Sequence, residues 1–228
     1  FLWQPRIFGN LYWRKKMINF DFLPEKTRLL LEKLSHQPFA ADFYLAGGTA
    51  MALFLNHRRS DDLDFFSAKE FDQTLLIKGL KEIGNFEGLK NAENTIIGKL
   101  DDIKISFFTL PYALLEPAER RENIAVAQLT DLAAMKILAI SDRGTKRDFI
   151  DLYWLCQKFK SLEELLLIFQ KKFGEYDYNI YHIIKSLVYF ADADADAMPQ
   201  MRVDLKWKTV KEFFIGEKAK LAKKFLGI

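Results

Sequence analysis

A glycine turn followed by two closely spaced aspartates constrains this chain more than any other feature of its sequence. The turn is Gly47-Gly48-Thr49, and the aspartates are Asp62 and Asp64. Carboxylates two positions apart on a β-strand point to the same face, because side chains alternate along a strand. A small-residue turn that opens a helix presents free backbone N–H groups and the positive end of the helix dipole to an anion. Together these features predict a phosphate site that faces a metal site.

Such a pair of sites is what the transfer of a nucleotide from a triphosphate requires, so a nucleotidyltransferase is the leading hypothesis. Magnesium prefers carboxylate oxygens, keeps several waters and completes its shell with substrate phosphates. We therefore expect Asp62 and Asp64 to bind one or two Mg²⁺ ions, and Thr49 to place its hydroxyl on a terminal phosphate of an NTP. Each feature also has an ordinary structural explanation, since tight turns often use glycine and acidic pairs beside turns are usually solvated.

Composition places few limits on function. Half of the 228 residues are hydrophobic, which is enough for one sizeable core or two small ones, and the net charge of +3 gives no strong attraction for nucleic acid. The single Cys156 excludes an internal disulfide framework and fits a reducing, cytoplasmic environment. The longest uncharged run, residues 43–56, is too short for a membrane helix, so no membrane partner is expected.

The chain divides into two parts by pattern. Residues 17–128 alternate strand and helix signals, and from Thr130 onward nearly every segment has helical periodicity. Strands are expected at residues 43–46, 62–66, 95–100 and 103–109, and helices at 24–34, 49–55, 71–83, 132–143, 147–159, 161–173, 178–190 and 208–225. The predicted fold class is α+β: a nucleotidyltransferase-type mixed sheet with flanking helices (17–128), followed by an α-helical C-terminal domain (129–228).

Local signals refine these boundaries. Thr130 or Asp131 is expected to cap the first helix of the C-terminal part, and Ser161 with Glu164 has the spacing of a capping box. The acidic run 192–196 lacks the glycine and the glutamate of a calcium loop, so it is interpreted as a loop between helices. Residues 1–16 are interpreted as a disordered or non-native extension before a natural start at Met17; the alternative is a basic, aromatic arm that touches RNA.

Three blocks of this sequence resemble the nucleotidyltransferases of the AbiEii/AbiGii toxin family. The blocks are Gly47-Gly48-Thr49-Ala50, the run 57–66 (HRRSDDLDFF), and the run 131–136 (DLAAMK) with 143–152 (RGTKRDFIDL). The resemblance implies a DNA polymerase β-like domain with a helical partner and a nucleotide bound between them. It implies magnesium-dependent transfer of an NMP from an NTP to an acceptor, RNA such as a tRNA 3′ end, by a toxin that a cognate antitoxin counters.

The resemblance also implies roles for individual residues. Nucleotide binding would fall to Gly47, Gly48, Thr49, Arg58, Ser60 and Lys136. Catalysis would fall to Asp62, Asp64, Lys136 and Asp148, with Asp62 and Asp64 as the metal ligands. Lys136 would oppose the charge of the leaving pyrophosphate, and Asp148 would orient or deprotonate the acceptor. The structural alternative is that Lys136 and Arg143 form a solvated stripe, and that Asp148 and Asp151 only pair with nearby cations.

One position departs from the family pattern. Polymerase β-like transferases commonly place a third carboxylate on a later strand, where this chain has Ser106. Asp101 or Asp102 at the strand start, or Asp148, would have to replace it. The alternative function is therefore a catalytically weak or inactive module of the same fold that binds nucleotide or protein. Another open alternative is that the basic end of the last helix, with Arg120 and Arg121, guides a tRNA-like acceptor.

Overall fold

The computed structural model describes residues 18–121, 123–174 and 178–227. The expected extension 1–16 and the expected start at Met17 lie outside these residues. Within the described ranges, no helix combines the length and the apolar character needed to cross a membrane.

A seven-stranded mixed sheet forms the first half of the described chain. Its strands are β1 (Tyr44–Ala46), β2 (Leu63–Ser67), β3 (Phe86–Ala92), β4 (Thr95–Leu100), β5 (Ile103–Thr109), β6 (Glu119–Arg121) and β7 (Ile124–Val126). They lie in the order β3-β4-β5-β2-β1-β7-β6. β2 runs parallel to β5 and antiparallel to β1, while β1 runs parallel to β7. The two short central strands β1 and β2 therefore sit side by side.

Helices alternate with strands in the first half of the described chain and follow the last strand in the second half. They are α1 (Glu25–Ser35), α2 (Gly47–Leu55), α3 (Gln73–Ile83), α4 (Leu129–Asp142), α5 (Lys146–Lys158), α6 (Leu162–Phe173), α7 (Ile180–Ser186), α8 (Ala191–Ala195) and α9 (Trp207–Leu226). The predicted α+β fold class, with a mixed sheet followed by helices, is confirmed.

The burial pattern of β2 decides which sheet face is free for a site. Leu63 and Phe65 are buried, and the Phe65 ring stacks on Phe107 of β5 with 5.2 Å between centroids. Asp64 and Phe66 alternate with them and point to the opposite face. One face of β2 and β5 therefore packs in the apolar core, and on the opposite face Asp64 points into a cleft.

The predicted caps of α4 are wrong. This helix begins at Leu129, ahead of both Thr130 and Asp131, and no side chain caps it. Asp131 is completely buried and accepts hydrogen bonds from Lys172 Nζ of α6 at 2.6 Å and from the backbone N–H of Leu115. The Asp131 carboxylate binds groups that are distant in the sequence, so it does not cap the helix as the local sequence predicted.

Two other local predictions have different outcomes. The predicted capping box is confirmed, since Ser161 Oγ accepts from the N–H of Glu164 and Glu164 accepts from the N–H of Ser161. The interpretation of residues 192–196 as a loop is wrong for most of that run, because α8 includes it up to Ala195. Asp196 follows this helix and accepts from the backbone N–H of Lys146, at the start of α5.

Candidate active site

The turn from β1 into α2 lets two charged side chains approach the backbone closely. Gly47 adopts a φ of +66°, and a Cβ added there would lie 2.6 Å from Asp64 Oδ2. A Cβ on Gly48 would overlap the Arg58 guanidinium. Both glycines are therefore required by the space that Asp64 and Arg58 occupy, and Gly47 also by its left-handed backbone conformation.

Thr49 stabilises the loop that carries the aspartates. Its side chain is buried, its hydroxyl donates to the backbone carbonyl of Asp62, and its Oγ1 lies 2.9 Å from Ser60 Oγ. These contacts commit the Thr49 hydroxyl to the protein, so its position does not support the predicted contact with a terminal phosphate. Ser60 borders the cavity described below.

Asp62 directly precedes β2, and Asp64 is the second residue of this strand. Asp64 stands between Ala46 of β1 and Ser106 of β5 in the strand registers, and both aspartates line one cavity. Burial raises the pKa of Asp64, and the charge of Asp62 raises it further, while a hydrogen bond with Ser106 acts in the opposite sense. A cation between the two carboxylates would relieve this repulsion, and two hard oxygen donors that leave room for water and phosphate fit Mg²⁺.

A third carboxylate does not join this pair. Among the described residues, no group of three or more His, Cys, Asp or Glu side chains is arranged to hold a metal ion. Ser106 is buried directly opposite Asp64. Asp101 does not replace it: its carboxylate accepts from Lys33 Nζ at 3.1 Å and from the N–H of Asn85 at 2.9 Å, at the β4–β5 turn. The donor set offered to a metal is therefore the Asp62 and Asp64 pair.

A cluster of charges, buried except for the Arg143 side chain, joins the loop before β2 to α4 and α5. We call it the central charge cluster, and its members are His57, Arg58, Lys136, Arg143, Asp148 and Asp151. Asp151 lies at its centre, fully buried, and accepts from Arg58 Nε at 2.7 Å and Nη2 at 2.8 Å. It also lies 2.7 Å from His57 Nε2 and 2.9 Å from Lys136 Nζ.

The two carboxylates of α5 are held ionised. Burial would raise the pKa of Asp151, but Arg58 and Lys136 outweigh burial and bring this pKa well below its usual range. Asp148 accepts from Lys136 Nζ at 2.9 Å, Arg143 Nε at 3.0 Å and Thr145 Oγ1 at 2.6 Å. Burial again opposes ionisation, and Lys136 with Arg143 lowers the pKa of Asp148 below its usual range. A carboxylate with a lowered pKa and with both oxygens occupied is a poor general base, so this geometry does not support deprotonation by Asp148.

Lys136 is charged although it is only 6% exposed. Burial lowers the pKa of its ammonium group, but Asp148 and Asp151 more than compensate, so the pKa is raised. His57 behaves in the opposite way, because burial lowers its pKa and keeps the ring neutral. The neutral ring donates its Nε2 proton to Asp151, while its buried Nδ1 has no hydrogen-bond partner in the described structure.

The cluster includes residues that sequence reasoning missed. The sequence pattern predicts only that Asp151 pairs with nearby cations, and it gives His57 no role beyond its place in a family motif. The available signal was the spacing of Asp148 and Asp151, which places both on one face of α5. What the pattern could not show is that this face is buried and that Arg58 reaches it from a loop 93 positions earlier in the chain.

The cavity that these elements enclose has a charged end and an apolar end. Its volume is about 450 Å³, within the range of small-molecule sites. The charged end is lined by Asp62, Asp64, Lys104, Lys136, Arg143 and Asp148. At the other end, Phe66, Ile97 and Phe108 form what we call the apolar shelf, with 5.2 Å between the two phenylalanine rings. This division suits a ligand with a planar apolar part and a highly charged part.

A family profile described as nucleotidyl transferase AbiEii toxin, type IV TA system, matches residues 28–113 and 100–225. These two matches extend over most of the chain. The chain belongs to the AbiEii nucleotidyltransferase toxin family. This confirms the resemblance that the three sequence blocks carry, and as a member of the family the protein is a nucleotidyltransferase.

Individual similar proteins match most of the length of this AbiEii chain. An uncharacterized protein of Aquifex aeolicus (strain VF5) is 39% identical over 197 residues, which cover 84% of this chain and 94% of that protein. The crystal structure of JHP933 from Helicobacter pylori has a TM-score of 0.54 at 18% identity, covering 90% of this chain and 95% of the other. MenT4, a nucleotidyltransferase toxin of Mycobacterium tuberculosis H37Rv, has a TM-score of 0.52 at 14% identity, covering 86% and 87%. At these identities the two solved structures show the shared fold.

Proposed function

We propose that this AbiEii protein moves an NMP from an NTP to an RNA acceptor, such as a tRNA 3′ end, in a magnesium-dependent reaction. The observation that carries the proposal is that one cavity holds Asp62 and Asp64 beside the glycine turn at one end and the apolar shelf at the other. A nucleoside triphosphate has the same division between a planar base and a charged tail. The family's nucleotidyltransferase activity supports the reaction type.

In this proposal the NTP lies along the cavity. Its base packs on Phe66 and Phe108, and its phosphates approach the Gly47-Gly48 turn, beside which the Asp64 carboxylate and the Arg58 guanidinium lie. Aromatic rings offer a stacking surface that accepts any base. Arg143, whose side chain is 64% exposed, can turn one face of its guanidinium toward the phosphates while it stays bonded to Asp148.

Asp62 and Asp64 would hold Mg²⁺, which when bound supplies charge neutralisation at the phosphates. The acceptor hydroxyl oxygen forms a bond to the α-phosphorus, its proton leaves to solvent, and the bond to the β-phosphate oxygen breaks with that oxygen keeping the electron pair. Lys136 stabilises the negative charge that develops on the departing pyrophosphate. Asp148 and Asp151 act as positioning residues, because they hold the Lys136 ammonium at the cavity wall.

The biological role follows from the family rather than from the geometry. We propose that the protein acts in the cytoplasm as the toxin of a toxin-antitoxin system, and that a cognate antitoxin limits its activity. The family description, a toxin of a type IV TA system, supports this role.

Nucleotide binding is tested by thermal unfolding with each NTP, with and without Mg²⁺. A ligand that binds only the folded state must raise the unfolding midpoint, by an amount that grows with its concentration. We expect a rise that depends on Mg²⁺ for at least one NTP, and a smaller rise for Asp62→Asn and Asp64→Asn. The exposed Asp204→Asn variant is the control and should behave like the wild type. No shift with any NTP contradicts the proposed nucleotide site.

Transfer is tested by incubating the protein with labelled NTPs, Mg²⁺ and total tRNA. We expect labelled RNA from the wild type and from Asp204→Asn, and a loss of at least about a hundredfold in rate for Asp62→Asn or Asp64→Asn. Labelling that survives both substitutions contradicts the metal site. If NTP raises the unfolding midpoint but no acceptor is labelled, the alternative of a nucleotide-binding module without turnover gains support, and Ser106 opposite Asp64 is the observation that favours it.

A further inference from the structure

A second groove, of about 380 Å³, opens beside the active site. It meets the first cavity at Arg58, Ser60, Asp62 and Arg147, which line both. From there it continues past Arg59 and the segment 199–200. Among the described residues, those of the apolar shelf do not line it, so the groove leads away from the proposed base site.

The wall of this groove is built from both halves of the chain. The N–H of Arg59 donates to the Gln200 carbonyl at 2.8 Å, and the N–H of Arg202 donates to the His57 carbonyl at 2.9 Å. These bonds flank an isolated β-bridge between Arg58 and Met201. Since backbone hydrogen bonds hold both sides, the groove is a fixed surface rather than a gap between loose segments.

Two arginines of the groove are available to a ligand. Arg59 pairs with Asp61 at 3.0 Å, but both side chains are about half exposed, so this pair is weak and exchangeable. Arg147 is exposed in the first turn of α5, and among the described residues its side chain has no ion pair or hydrogen bond. Arg58, in contrast, is buried and already bonded to Asp151. Asp61 and Asp62 also line the groove, so Arg59 and Arg147 are the cations that a phosphate would meet there.

We infer that this groove binds the phosphate backbone of a single-stranded RNA end, the acceptor that receives the NMP. The inference rests on the proposed function. Transfer with inversion at the α-phosphorus requires the acceptor hydroxyl and the leaving pyrophosphate on opposite sides of that atom. The groove reaches Asp62 from the side away from the shelf and supplies the arginine forks that match phosphate oxygens. Its lining is polar and its volume is nucleotide-sized, which suits the end of a single strand rather than a duplex.

The experiment measures the KM for RNA and the KM for NTP separately in Arg59→Ala, Arg147→Ala and the double variant. We expect each single substitution to raise the KM for RNA about tenfold, since it removes a charge-assisted hydrogen bond to a phosphate. The KM for NTP of Arg59→Ala should stay within about twofold of the wild type, because Arg59 lines only the groove. Arg28→Ala, an exposed arginine on α1 that lines neither the cavity nor the groove, is the matched control and should leave both constants unchanged.

A binding measurement separates this inference from the proposed function. The probe is a fluorescein-labelled single-stranded RNA decamer, followed by anisotropy at several salt concentrations. The double variant should bind more weakly, and its salt dependence should be shallower by about 0.7 for each phosphate that an arginine no longer neutralises. If the wild type transfers no NMP but this binding difference is present, the proposed function fails and the groove remains a binding site for single-stranded RNA.

Other outcomes overturn the inference. An unchanged KM for RNA and unchanged decamer binding in the double variant exclude the groove as the RNA site. An equal loss in Arg28→Ala shows a general effect of positive charge. Labelling of a protein instead of RNA by the wild type, with no decamer binding, assigns the groove to a different acceptor and removes the RNA assignment.

Discussion

Gly47 has a positive φ, and Asp64 fills the space that a Cβ would need. Gly47→Ala should therefore lower the free energy of unfolding by more than about 1 kcal/mol, because alanine is strained at this φ and pushes Asp64 out of place. The Mg²⁺-dependent rise of the unfolding midpoint with NTP should disappear as well. Urea unfolding and thermal unfolding measure the two effects.

Gly216 supplies the matched control for that substitution. It lies in α9, and a Cβ added there meets no atom within 4 Å. Gly216→Ala should stabilise the protein by up to about 1 kcal/mol, because alanine has the higher helix propensity. A Gly47→Ala protein as stable as the wild type would contradict the role of the turn.

Ser106 gives a test of the metal site that does not depend on turnover. Ser106→Asp adds a third carboxylate opposite Asp64, and without a metal the like charges should destabilise the protein by roughly 1–3 kcal/mol. Mg²⁺ should restore part of this stability, so the rise of the unfolding midpoint with Mg²⁺ should exceed that of the wild type. Ser106→Asn has the same size without the charge and should show no such gain. Equal responses of the two variants to Mg²⁺ would argue against a cation beside Asp64.

At the scale of elements, α6 shows how a local signal and a tertiary contact act together. Its capping box satisfies the helix start, and Lys172 near its end forms the buried pair with Asp131 of α4. Ser161→Ala should lower the free energy of unfolding by about 1 kcal/mol, since the N–H of Glu164 loses its acceptor. A double-mutant cycle with Glu164→Ala should show that the two losses do not add, because the side chains act as a pair. Additive losses would indicate independent roles.

At the scale of the whole molecule, the central charge cluster connects the sheet half to the helical half. We propose a domain boundary near residue 128, which the contact of Arg58 with Asp151 crosses. Asp151→Asn should lower the free energy of unfolding by roughly 3–5 kcal/mol, because Arg58 and Lys136 lose a buried counter-charge. The control is Glu212→Gln, in an exposed pair with Lys208, whose removal should cost less than about 1 kcal/mol. Similar losses in both variants of a urea titration would refute a special role for the cluster.

The cluster also predicts how stability depends on pH. Burial lowers the pKa of His57 in the folded protein, so the unfolded chain binds a proton first as the pH falls below about 6.5. Stability should therefore decrease between pH 7 and 5, by at most about 1.4 kcal/mol per pH unit for this one group. Asp148 and Asp151 have lowered pKa values, so their contribution to stability is complete above about pH 5 and is lost as the pH falls below it.

His57→Gln tests this assignment. Glutamine keeps an N–H donor for Asp151 but cannot take up a proton. Urea unfolding midpoints between pH 7 and 5 should then lose most of their slope. A slope equal to that of the wild type would place the titrating group elsewhere.

Much of the architecture could be predicted from local patterns. The two-residue period places Asp64 and Phe66 on one face of β2, because the backbone geometry of a strand is local, whereas Asp62, which the pattern also predicts on this strand, precedes it. The glycine turn, the capping box at Ser161 and most helices follow for the same reason. The family assignment rests on short motifs of this kind, and the family profile confirms it.

The tertiary structure decided which of these groups meet and which are buried. The Thr49 hydroxyl donates to a backbone carbonyl, and Asp131 pairs with the buried Lys172 instead of capping a helix. Asp151 pairs with Arg58 and Lys136, which lie in two different segments of the chain. Such contacts depend on distances between residues far apart in sequence, and no local period encodes them. By itself the sequence determined the strand face, the turn and the family. Only the packing of α4 and α5 against each other and against α2 decided that Lys136 and Asp148 stand at the cavity as an ionised pair, because burial and neighbouring charges set their pKa values.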